Sequence, residues 1–342
     1  MKNILVTGGA GFIGSAFVRH MVAQYPRLNV IVYDLLTYAG NLNNLLTVSD
    51  EPNFRFIQGD IASRADVARA LQGCNIDTVV NFAAESHVDR SIVAPDAFIH
   101  SNTVGVHILL DEARGRRIGR FLQVSTDEVY GDIAPDCFSS EEDKFLPNSP
   151  YAASKAGAEL LVRASHVTHG LDTVITRGSN TFGPYQFPEK LMPFFITEAI
   201  DGRPLPLYGD GNQQRDWLHV DDHARGIACA LFHGVSGQAY NIAGEQQARN
   251  IEVTRLILET LGRSTSLIRH VPDREGHDLR YAMRCEQLKA LGWRREHNLQ
   301  DAAAATVRWY QENEWWWRPL KSGDWDDWYR RQYAARLAAA DS

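Results

Sequence analysis

The stretch VTGGAGFIGS, Val6 to Ser15, limits the possible folds of this chain more than any other segment. Its glycines Gly8, Gly11 and Gly14 follow a short apolar run and precede a segment with helical spacing. Glycines let the main chain turn sharply and approach a phosphate, and free N–H groups at a helix start attract anions. An ordinary strand–helix turn also contains glycines, but this order predicts the first unit of a dinucleotide-binding fold.

A carboxylate at the end of the second apolar run strengthens that prediction. The run NVIVYD ends in Asp34, about 20 residues after the last glycine, where an acid binds the ribose hydroxyls of NAD. No arginine follows to accept the 2′-phosphate of NADP, so we expect NAD. The other residues expected at this end are Phe12, Ile13, Leu35, Leu36, Thr37, Asp60 and Ile61. For Asp60 a helix N-cap is the open alternative to an adenine contact.

Short runs rich in Val, Ile and Phe alternate with longer segments of helical spacing up to about Gly178. This alternation predicts an α/β fold, a Rossmann-type doubly wound parallel sheet with helices on both faces. Beyond Gly178 prolines, glycines and aromatics become denser, which indicates a smaller C-terminal substrate-binding domain. We expect a NAD-binding domain at 1–178 with a return segment at 220–248. The remainder, 179–219 and 249–342, is expected to bind the substrate.

Composition excludes several classes of protein. Apolar residues make up 44%, charged residues 23%, and the net charge is −7 without a Lys/Arg run, which disfavours a nucleic-acid surface. No stretch approaches the ~18 apolar residues of a membrane span. The four cysteines are far apart in sequence, so we expect reduced thiols, a cytoplasmic protein, and neither a metal site nor a disulfide framework.

Two further sequence patterns contain candidate catalytic residues. In SPYAASKAG, Tyr151 and Lys155 are four residues apart and share one face of a helix. A nearby ammonium and a positive nicotinamide ring would stabilise a phenolate that takes a hydroxyl proton. In QVSTDEVYGD, Asp127 and Glu128 stand side by side at a strand end, although adjacent carboxylates repel each other and resist burial.

Together with the glycine loop and Asp34, the segments FAAESHVDRS, STDEVYGD and YAASK resemble the extended short-chain dehydrogenase/reductases. More narrowly, the chain resembles the dTDP-glucose 4,6-dehydratases from Met1 to about Tyr333. The further matching segments are LTYAGNL, GPYQFPEKLMP, LYGDG, RDWLHVDDHARG and DREGHDLRYA.

The resemblance implies dehydration of dTDP-glucose to its 4-keto-6-deoxy product, with NAD bound through the cycle. The sugar is oxidised at C4, loses water between C5 and C6, and regains hydride at C6. The resemblance makes Glu128 the C5 base, Asp127 the C6 acid and Thr126 a hydrogen-bond partner of the C4 oxygen. Tyr151 and Lys155 serve the oxidation. Each carboxylate is expected to raise the pKa of the other, which helps Asp127 to hold a proton.

The resemblance also supplies binding residues. For the cofactor it adds Phe82, Ala83, Ala84, Ser86, Ser101, Tyr151, Lys155 and Thr181. For the sugar nucleotide it implies Ser86, Thr126, Asn180, Lys190, Leu191, Pro206, Leu207, Tyr208, Arg215, Asn250, Asp273, Arg274, His277 and Tyr333. Arg215 is the expected diphosphate clamp, because a guanidinium binds two phosphate oxygens at once. The chain departs from the family pattern at Thr181, where asparagine is usual, and at Glu275, where proline is usual.

Alternatives stay open at this point. C4 epimerases share the Tyr/Lys pair but need no acid–base pair at Asp127 and Glu128, and related decarboxylases typically have serine in place of Asp127. UDP-glucose or another nucleotide hexose is an alternative substrate. A non-catalytic NAD- or sugar-nucleotide-binding regulator is the remote alternative. Such a protein would tolerate loss of Tyr151, Lys155, Asp127 or Glu128, but all four are present.

Two expectations concern packing. The resemblance implies a homodimer through two long helices, one from about Ser101 to Arg114 and the one that carries Tyr151 and Lys155. Seven of the eight tryptophans lie at or beyond Trp293, and we expect them to pack the protein instead of contacting a ligand.

Overall fold

The computed structural model describes residues 1–334 and 336–337, in which strands and helices alternate through the first half of the chain. The strands are β1 (Asn3–Thr7), β2 (Asn29–Asp34), β3 (Phe54–Gln58), β4 (Thr78–Asn81), β5 (Arg120–Thr126), β6 (Thr173–Gly178), β7 (Asn180–Phe182), β8 (Leu205–Tyr208), β9 (Gln214–His219), β10 (Ala239–Ile242), β11 (Gln247–Arg249) and β12 (Ile268–Val271). The α-helices are α1 (Phe12–Gln24), α2 (Arg64–Gln72), α3 (Val88–Val93), α4 (Pro95–Ile99), α5 (Val106–Gly115), α6 (Pro150–His169), α7 (Leu191–Ile200), α8 (Val220–His233), α9 (Asn250–Thr260), α10 (Glu286–Ala290), α11 (Leu299–Glu312), α12 (Glu314–Trp317) and α13 (Asp324–Tyr329). Two π-helical segments, His100–Gly105 and Arg330–Ala334, follow α4 and α13.

Seven strands form one parallel sheet in the order β10-β6-β5-β4-β1-β2-β3, which confirms the predicted α/β class. Strands such as β1 and β4 are buried along almost their whole length, as expected when helices cover both faces. The strand order reverses between β1 and β4, and in such sheets ligands bind in the crevice outside the carboxyl ends of the strands. The candidate site is therefore expected at this edge.

Buried polar side chains connect the central strands below that edge. Thr7 on β1 hydrogen-bonds Asn81 on β4, and Asn81 Nδ2 donates to Gln123 Oε1 on β5 at 2.8 Å. Gln123 Nε2 in turn donates to the carbonyl of Val124 at 2.9 Å. Because each side chain in this row has a partner, the polar groups are buried at little cost, and they fix the strands that carry the site.

A second hydrophobic cluster lies away from the large sheet and contains residues of β8, β9, α7, α9 and α11. The small sheets β11-β9-β7 and β12-β8 belong to this part of the chain. Trp316 and Trp317 are buried here, as expected for packing residues, whereas Trp315 is 55% exposed. Trp316 Nε1 donates to Asn44 Oδ1 at 2.9 Å and so ties this cluster to the N-terminal half.

Among the described residues, no helix combines the length and the apolar character that crossing a membrane requires.

Candidate active site

Two cavities meet at the carboxyl edge of the large sheet. The larger, ≈ 490 Å³, runs from the glycine loop to Lys155, and the smaller, ≈ 140 Å³, extends from it toward Tyr208 and Tyr333. Volumes of a few hundred Å³ are typical of small-molecule sites. Residues that line both cavities are Glu128, Asn180, Glu189, Lys190, Leu191 and Trp217.

The glycine loop forms a cradle that side chains would fill. Gly8 has φ +66°, and a Cβ atom there would lie 2.5 Å from the main-chain nitrogen of Ala83. A Cβ atom on Gly14 would lie 2.2 Å from the carbonyl oxygen of Gly8. These contacts require glycine at both positions, and they leave the main chain at the start of α1 open to a pyrophosphate.

Asp34 holds this loop with main-chain hydrogen bonds. Its Oδ2 accepts from the N–H of Ala10 at 2.9 Å, and its Oδ1 accepts from the N–H of Leu36 at 2.8 Å. Burial raises the pKa of Asp34, and both main-chain donors lower it. A carboxylate has about four lone-pair sites, so hydroxyl donors still find acceptors here. Among the described residues, no arginine lines the larger cavity, which favours NAD over NADP.

The predicted cofactor residues line the larger cavity with one exception. The exception is Leu36, which has φ +59° and packs against the core beside the sheet. Asp60 lines the cavity and accepts from the N–H of Ala62 at 2.8 Å. The alternative of a helix N-cap for Asp60 is wrong, because Ser63 caps α2.

The two adjacent carboxylates are placed by a cap at the end of β5. Thr126 Oγ1 accepts from the N–H of Glu128 at 3.2 Å, which starts the 3₁₀ turn Asp127–Tyr130. The turn directs both acids to the cavity, which they line together with Thr126. Asp127 is buried, and its Oδ2 has no hydrogen-bond partner among the described residues. A buried, unpartnered oxygen points to a ligand as its partner.

Burial outweighs mutual repulsion in the electrostatics of this pair. Burial raises the pKa of Asp127 well above its usual range, and the charges of Glu128 and Asp216 add to the rise. Burial likewise raises the pKa of Glu128, whereas the cationic side chains of Lys190 and Arg274 lower it. Repulsion between the two carboxylates is thus among the leading causes for Asp127 and not for Glu128, so the expected mutual effect is one-sided, and nearby cations favour the charged form of Glu128.

Tyr151 and Lys155 lie in the first two turns of α6, and both side chains line the larger cavity. Lys155 Nζ donates to the carbonyl of Val124 at 2.7 Å, and burial lowers its pKa to about 8. Burial and the charge of Glu128 raise the pKa of Tyr151, whereas its hydrogen bond with Thr126 lowers it. Stabilisation of the phenolate therefore requires further positive charge at this site.

The expected phosphate-binding groups lie where the cavities meet. Arg215 is 5% exposed and donates to the carbonyls of Gln214 and Asp278, each at 2.9 Å. Lys190 Nζ donates to the carbonyl of Ser86 at 2.6 Å. Lys190 is also the N-cap residue of α7 and makes no side-chain cap hydrogen bond, so first-turn N–H groups stay available to an anion.

The smaller cavity has a buried carboxylate that the sequence interpretation missed. Asp89 accepts from Arg274 Nη1 at 2.6 Å, from Gln332 Nε2 at 2.9 Å and from the hydroxyl of Tyr208 at 3.0 Å. Tyr333 is buried beside Tyr208, with ring centroids 6.1 Å apart. The C-terminal segment thus closes this cavity against α3. The only sequence signal was the position of Asp89 in SHVDRS, next to the expected Ser86.

The structure brings together the predicted substrate residues, with one exception. Each of them except Asp273 lines one of the two cavities. Asp273 instead accepts from Gln213 Nε2 at 2.7 Å and contacts His277 Nδ1 at 2.6 Å. It positions the ring of His277, which does line the smaller cavity.

Comparisons with known proteins identify relatives of this chain. A family model described as GDP-mannose 4,6 dehydratase matches residues 5–306. The chain is 49% identical over 321 residues to a dTDP-glucose 4,6-dehydratase of Actinoplanes sp., covering 92% of this chain and 99% of the relative. It is 51% identical to the dTDP-glucose 4,6-dehydratase DesIV of Streptomyces venezuelae, solved with NAD and TYD bound. That match has a TM-score of 0.90 and covers 93% of this chain and 100% of the other.

An epimerase shares the fold at lower identity. The UDP-glucose 4-epimerase of Thermus thermophilus, solved in complex with NAD, matches with a TM-score of 0.85. It is 29% identical, and the match covers 91% of this chain and 99% of the other. The fold is thus common to both activities, and the sequence is nearer to these dehydratases than to this epimerase.

Proposed function

We propose that this chain, which belongs to the dTDP-glucose 4,6-dehydratase family, converts dTDP-glucose to dTDP-4-keto-6-deoxyglucose by removing water. It is a hydro-lyase with NAD as its cofactor. One observation carries the proposal: the carboxylates Asp127 and Glu128 are placed by one turn in the same cavity as Tyr151 and Lys155. A simple sugar oxidation needs no such acid pair.

The residues present fit NAD. The main chain at Gly8 and Gly14 leaves room that any Cβ atom would occupy, and this room suits the pyrophosphate. Asp34 keeps acceptor capacity for the ribose hydroxyls. Bound NAD supplies the oxidation at C4 and the later reduction at C6, so it ends the cycle in the form in which it began.

Tyr151 takes the proton of the C4 hydroxyl in the first step. Thr126 holds the C4 oxygen, and Lys155 contributes the nearby cation that a phenolate needs. With a pKa of about 8, Lys155 is still mostly protonated at neutral pH. With NAD bound, Lys155 and the pyridinium charge together would offset the effect of Glu128 on the Tyr151 phenol.

Glu128 and Asp127 then divide the dehydration. A 4-keto group acidifies the C5 proton, and Glu128 removes that proton; burial raises the pKa of Glu128, and the cations around it favour its charged form. Asp127 holds a proton because its site is buried and next to another carboxylate, and it protonates the leaving C6 hydroxyl. One environment thus supplies a base and an acid from neighbouring positions of the chain.

The nucleotide part of the substrate lies toward the smaller cavity. Arg215, Lys190 and the start of α7 hold the diphosphate, and Asn180 contacts the sugar between the two cavities. The strand Pro206–Tyr208 and Tyr333 enclose the base. Contacts of this kind position a pyrimidine, and the preference for thymine over uracil is tested by experiment.

The test is an assay of purified protein without added NAD, on dTDP-glucose and separately on UDP-glucose. The 4-keto-6-deoxy product is followed by its absorbance in alkali. We expect turnover of dTDP-glucose and a loss of about 10²–10⁴-fold in both Asp127→Asn and Glu128→Gln. Preference for UDP-glucose would keep the mechanism and change the base assignment. No dehydration of either sugar, even with NAD supplied, would refute the proposal.

We further propose a homodimer that buries the outer faces of α5 and α6. Leu160 and Val167 on α6 are 58% and 65% exposed, and Val104, before α5, is 39% exposed. Exposed apolar side chains grouped on neighbouring helices indicate an interface. Light scattering should give a dimer for the wild type and a monomer for Leu160→Glu. Val235→Glu, at an apolar residue of 59% exposure outside these helices, is the control that should stay dimeric.

The domain boundaries and the location of the protein are proposals as well. We propose a cofactor domain at 1–178 with 220–248, and a sugar-nucleotide domain at 179–219 and 249–342, the last part of which extends beyond the described residues. Separate hydrophobic clusters around the large sheet and around α7, α9 and α11 support this division, except that Met283, Cys285, Leu288 and Trp293 pack in the cluster around the large sheet. The free cysteines of the described chain support a cytoplasmic location.

A further inference from the structure

One buried side chain of the larger cavity has no part in the chemistry described above. His223 lies in the first turns of α8 and is 1% exposed, and its ring lines the cavity. Its Nε2 is buried and has no hydrogen-bond partner among the described residues. A buried polar atom without a partner is costly, so an atom at the edge of a ligand cavity points to a ligand as the partner.

The other nitrogen of the ring fixes what Nε2 can do. Nδ1 of His223 lies 2.8 Å from Thr181 Oγ1, and the same hydroxyl lies 3.0 Å from the carbonyl oxygen of Ser179. A carbonyl only accepts, so the single hydroxyl hydrogen of Thr181 goes to Ser179. Both bonds then form only if Nδ1–H of His223 donates to Thr181, which leaves Nε2 as a bare acceptor.

The ring stays neutral in this arrangement. Burial lowers the pKa of His223 to about 3, so the acceptor form persists through the physiological range. The lack of a side chain at Gly178 makes room for the edge of the ring. A Cβ atom at Gly178 would lie 2.5 Å from Nε2 and 2.3 Å from Cε1 of His223. The chain thus provides a buried acceptor without a partner, on a ring that lines the cavity, in a defined tautomer.

The position of this acceptor selects one part of the cofactor. Gly178 at the end of β6 lies opposite Thr126 at the end of β5 in the sheet register. His223 is therefore at the end of the cavity that holds the catalytic side chains, far along the sheet from Asp34 on β2. Oxidation at C4 requires the nicotinamide ring at this end, whereas the adenosine lies toward Asp34.

We propose that Nε2 of His223 accepts a hydrogen bond from the carboxamide N–H of the nicotinamide, and that Thr181 holds the imidazole in the tautomer that permits it. The inference rests on the proposed function, since it takes NAD as the dinucleotide. In this assignment Thr181 acts through His223, and His223 sets the orientation in which the ring is presented to the sugar.

The test is a binding competition that needs no turnover. Full-length protein is equilibrated with equal, excess concentrations of NAD and 3-acetylpyridine adenine dinucleotide, desalted, and the retained dinucleotides are quantified by mass spectrometry. The analogue has a methyl ketone in place of the carboxamide and so lacks the N–H donor. We expect the wild type to retain NAD over the analogue by roughly tenfold, the size of one hydrogen bond to a buried acceptor.

Variants of His223 separate the two ring nitrogens. His223→Asn keeps a donor near Nδ1 and removes the acceptor at Nε2, so the preference should fall to about equal retention. His223→Gln places an amide oxygen near Nε2 and should keep part of the preference. Thr181→Val, which removes the hydroxyl at similar volume, should weaken the preference less than His223→Asn does. Thermal unfolding of each variant verifies that it is folded.

Asp34→Asn is the matched control, because it should weaken both dinucleotides equally and leave their ratio unchanged. The proposal is overturned if the wild type shows no preference, or if His223→Asn retains the wild-type ratio, as it would if only water contacts Nε2. The competition contains no sugar. Failure of dTDP-glucose dehydration with an intact retention ratio would therefore refute the proposed function alone.

Discussion

The two ends of the active-site cleft are built in different ways. At the cofactor end, the cradle for the pyrophosphate is shaped mainly by main-chain atoms, and Gly8, Gly14 and Asp34 lie within a single β-α-β unit. The sugar-nucleotide end is shaped by side chains from distant segments. These side chains are Asp89, Lys190, Tyr208, Arg215, Arg274, Gln332 and Tyr333.

This difference has a physical consequence for substitutions. A surface made of main chain is disrupted by any added Cβ atom but is indifferent to most side-chain chemistry nearby. A surface made of side chains responds to single hydrogen bonds, each of about 1 kcal/mol, and so is adjusted in small steps. Substitutions at the cofactor end should therefore act almost all-or-none, and those at the sugar end should act gradually.

The largest expected effect is that of Gly8→Ala. A residue at φ +66° costs about 1–2 kcal/mol, and overlap of its Cβ atom with Ala83 adds about 1–3 kcal/mol. We expect the purified variant to retain no NAD. Gly170→Ala is the matched control, since Gly170 has φ +69° with no atom within 4 Å of a Cβ. It should lose about 1–2 kcal/mol of stability yet keep NAD. Equal NAD content in both variants would contradict the proposal that the main chain at Gly8 holds the pyrophosphate.

The contrast also explains what the sequence predicted. The glycine loop, Asp34 and the strands of the large sheet are local patterns, and each was predicted from contiguous residues. Asp127 and Glu128 followed from their strand-end position together with the resemblance. The hydrogen bond between Asp89 and Gln332 joins positions 243 residues apart, and no local pattern encodes such a contact.

Burial at the junction of the two ends was likewise hidden in the sequence. The expected cation of Lys155 was inferred from spacing, but its low pKa depends on how deeply α6 packs against β5. The same holds for Tyr151, whose pKa is raised first by burial and then by the carboxylate of Glu128, neither of which spacing along a helix indicated. Motifs identify such groups, and only the packing sets their proton affinities.

Lys155, at this junction, should make stability depend on pH. Its pKa is lowered from 10.5 to about 8, so between these values unfolding takes up a proton and the free energy of unfolding rises with pH. The destabilisation is fully present below pH 8 and is relieved as pH rises toward 10.5. In urea unfolding, Lys155→Met should exceed the wild type in stability at pH 7.5 by up to about 3 kcal/mol more than at pH 10.5.

The control for this measurement is Lys144→Met, which removes an exposed lysine. Its stability difference from the wild type should be the same at both pH values. The prediction fails if the stability difference between Lys155→Met and the wild type is also the same at both pH values. Lys155 would then be solvated, and the junction of the two ends would not bury its side chain.

At the sugar end, Arg215→Lys should cost an intermediate amount. The guanidinium donates to main-chain carbonyls of Gln214 and Asp278 while its Nε–H has no partner among the described residues. Lysine keeps the charge and loses the fork, at roughly 2 kcal/mol, or about thirtyfold in KM for the sugar nucleotide. The NAD content should not change. A fall in NAD content would show that the two ends are coupled through β9. The two ends would then not respond independently to substitutions.

Gln332→Met should have the smallest effect and the most selective one. Gln332 Nε2 donates to Asp89 Oδ2 at 2.9 Å and to the hydroxyl of Tyr208 at 2.6 Å, so it ties the C-terminal segment to the smaller cavity. Methionine keeps the volume without the donor, and one such bond is worth about 0.5–1.5 kcal/mol, or roughly two- to tenfold in KM. The value of kcat should stay unchanged, because the segment does not line the larger cavity that holds the catalytic side chains.

Arg331→Met, on the same π-helical turn, is the control for this last prediction. Arg331 is exposed and donates to the carbonyl of Asp327 within its own segment, so its loss should leave KM unchanged. If kcat fell in Gln332→Met while KM held, the segment would order the catalytic side chains instead of the base pocket. The part of the cleft that is built from side chains would then include the catalytic site. Substitutions in it would change kcat and not only the affinity for the substrate.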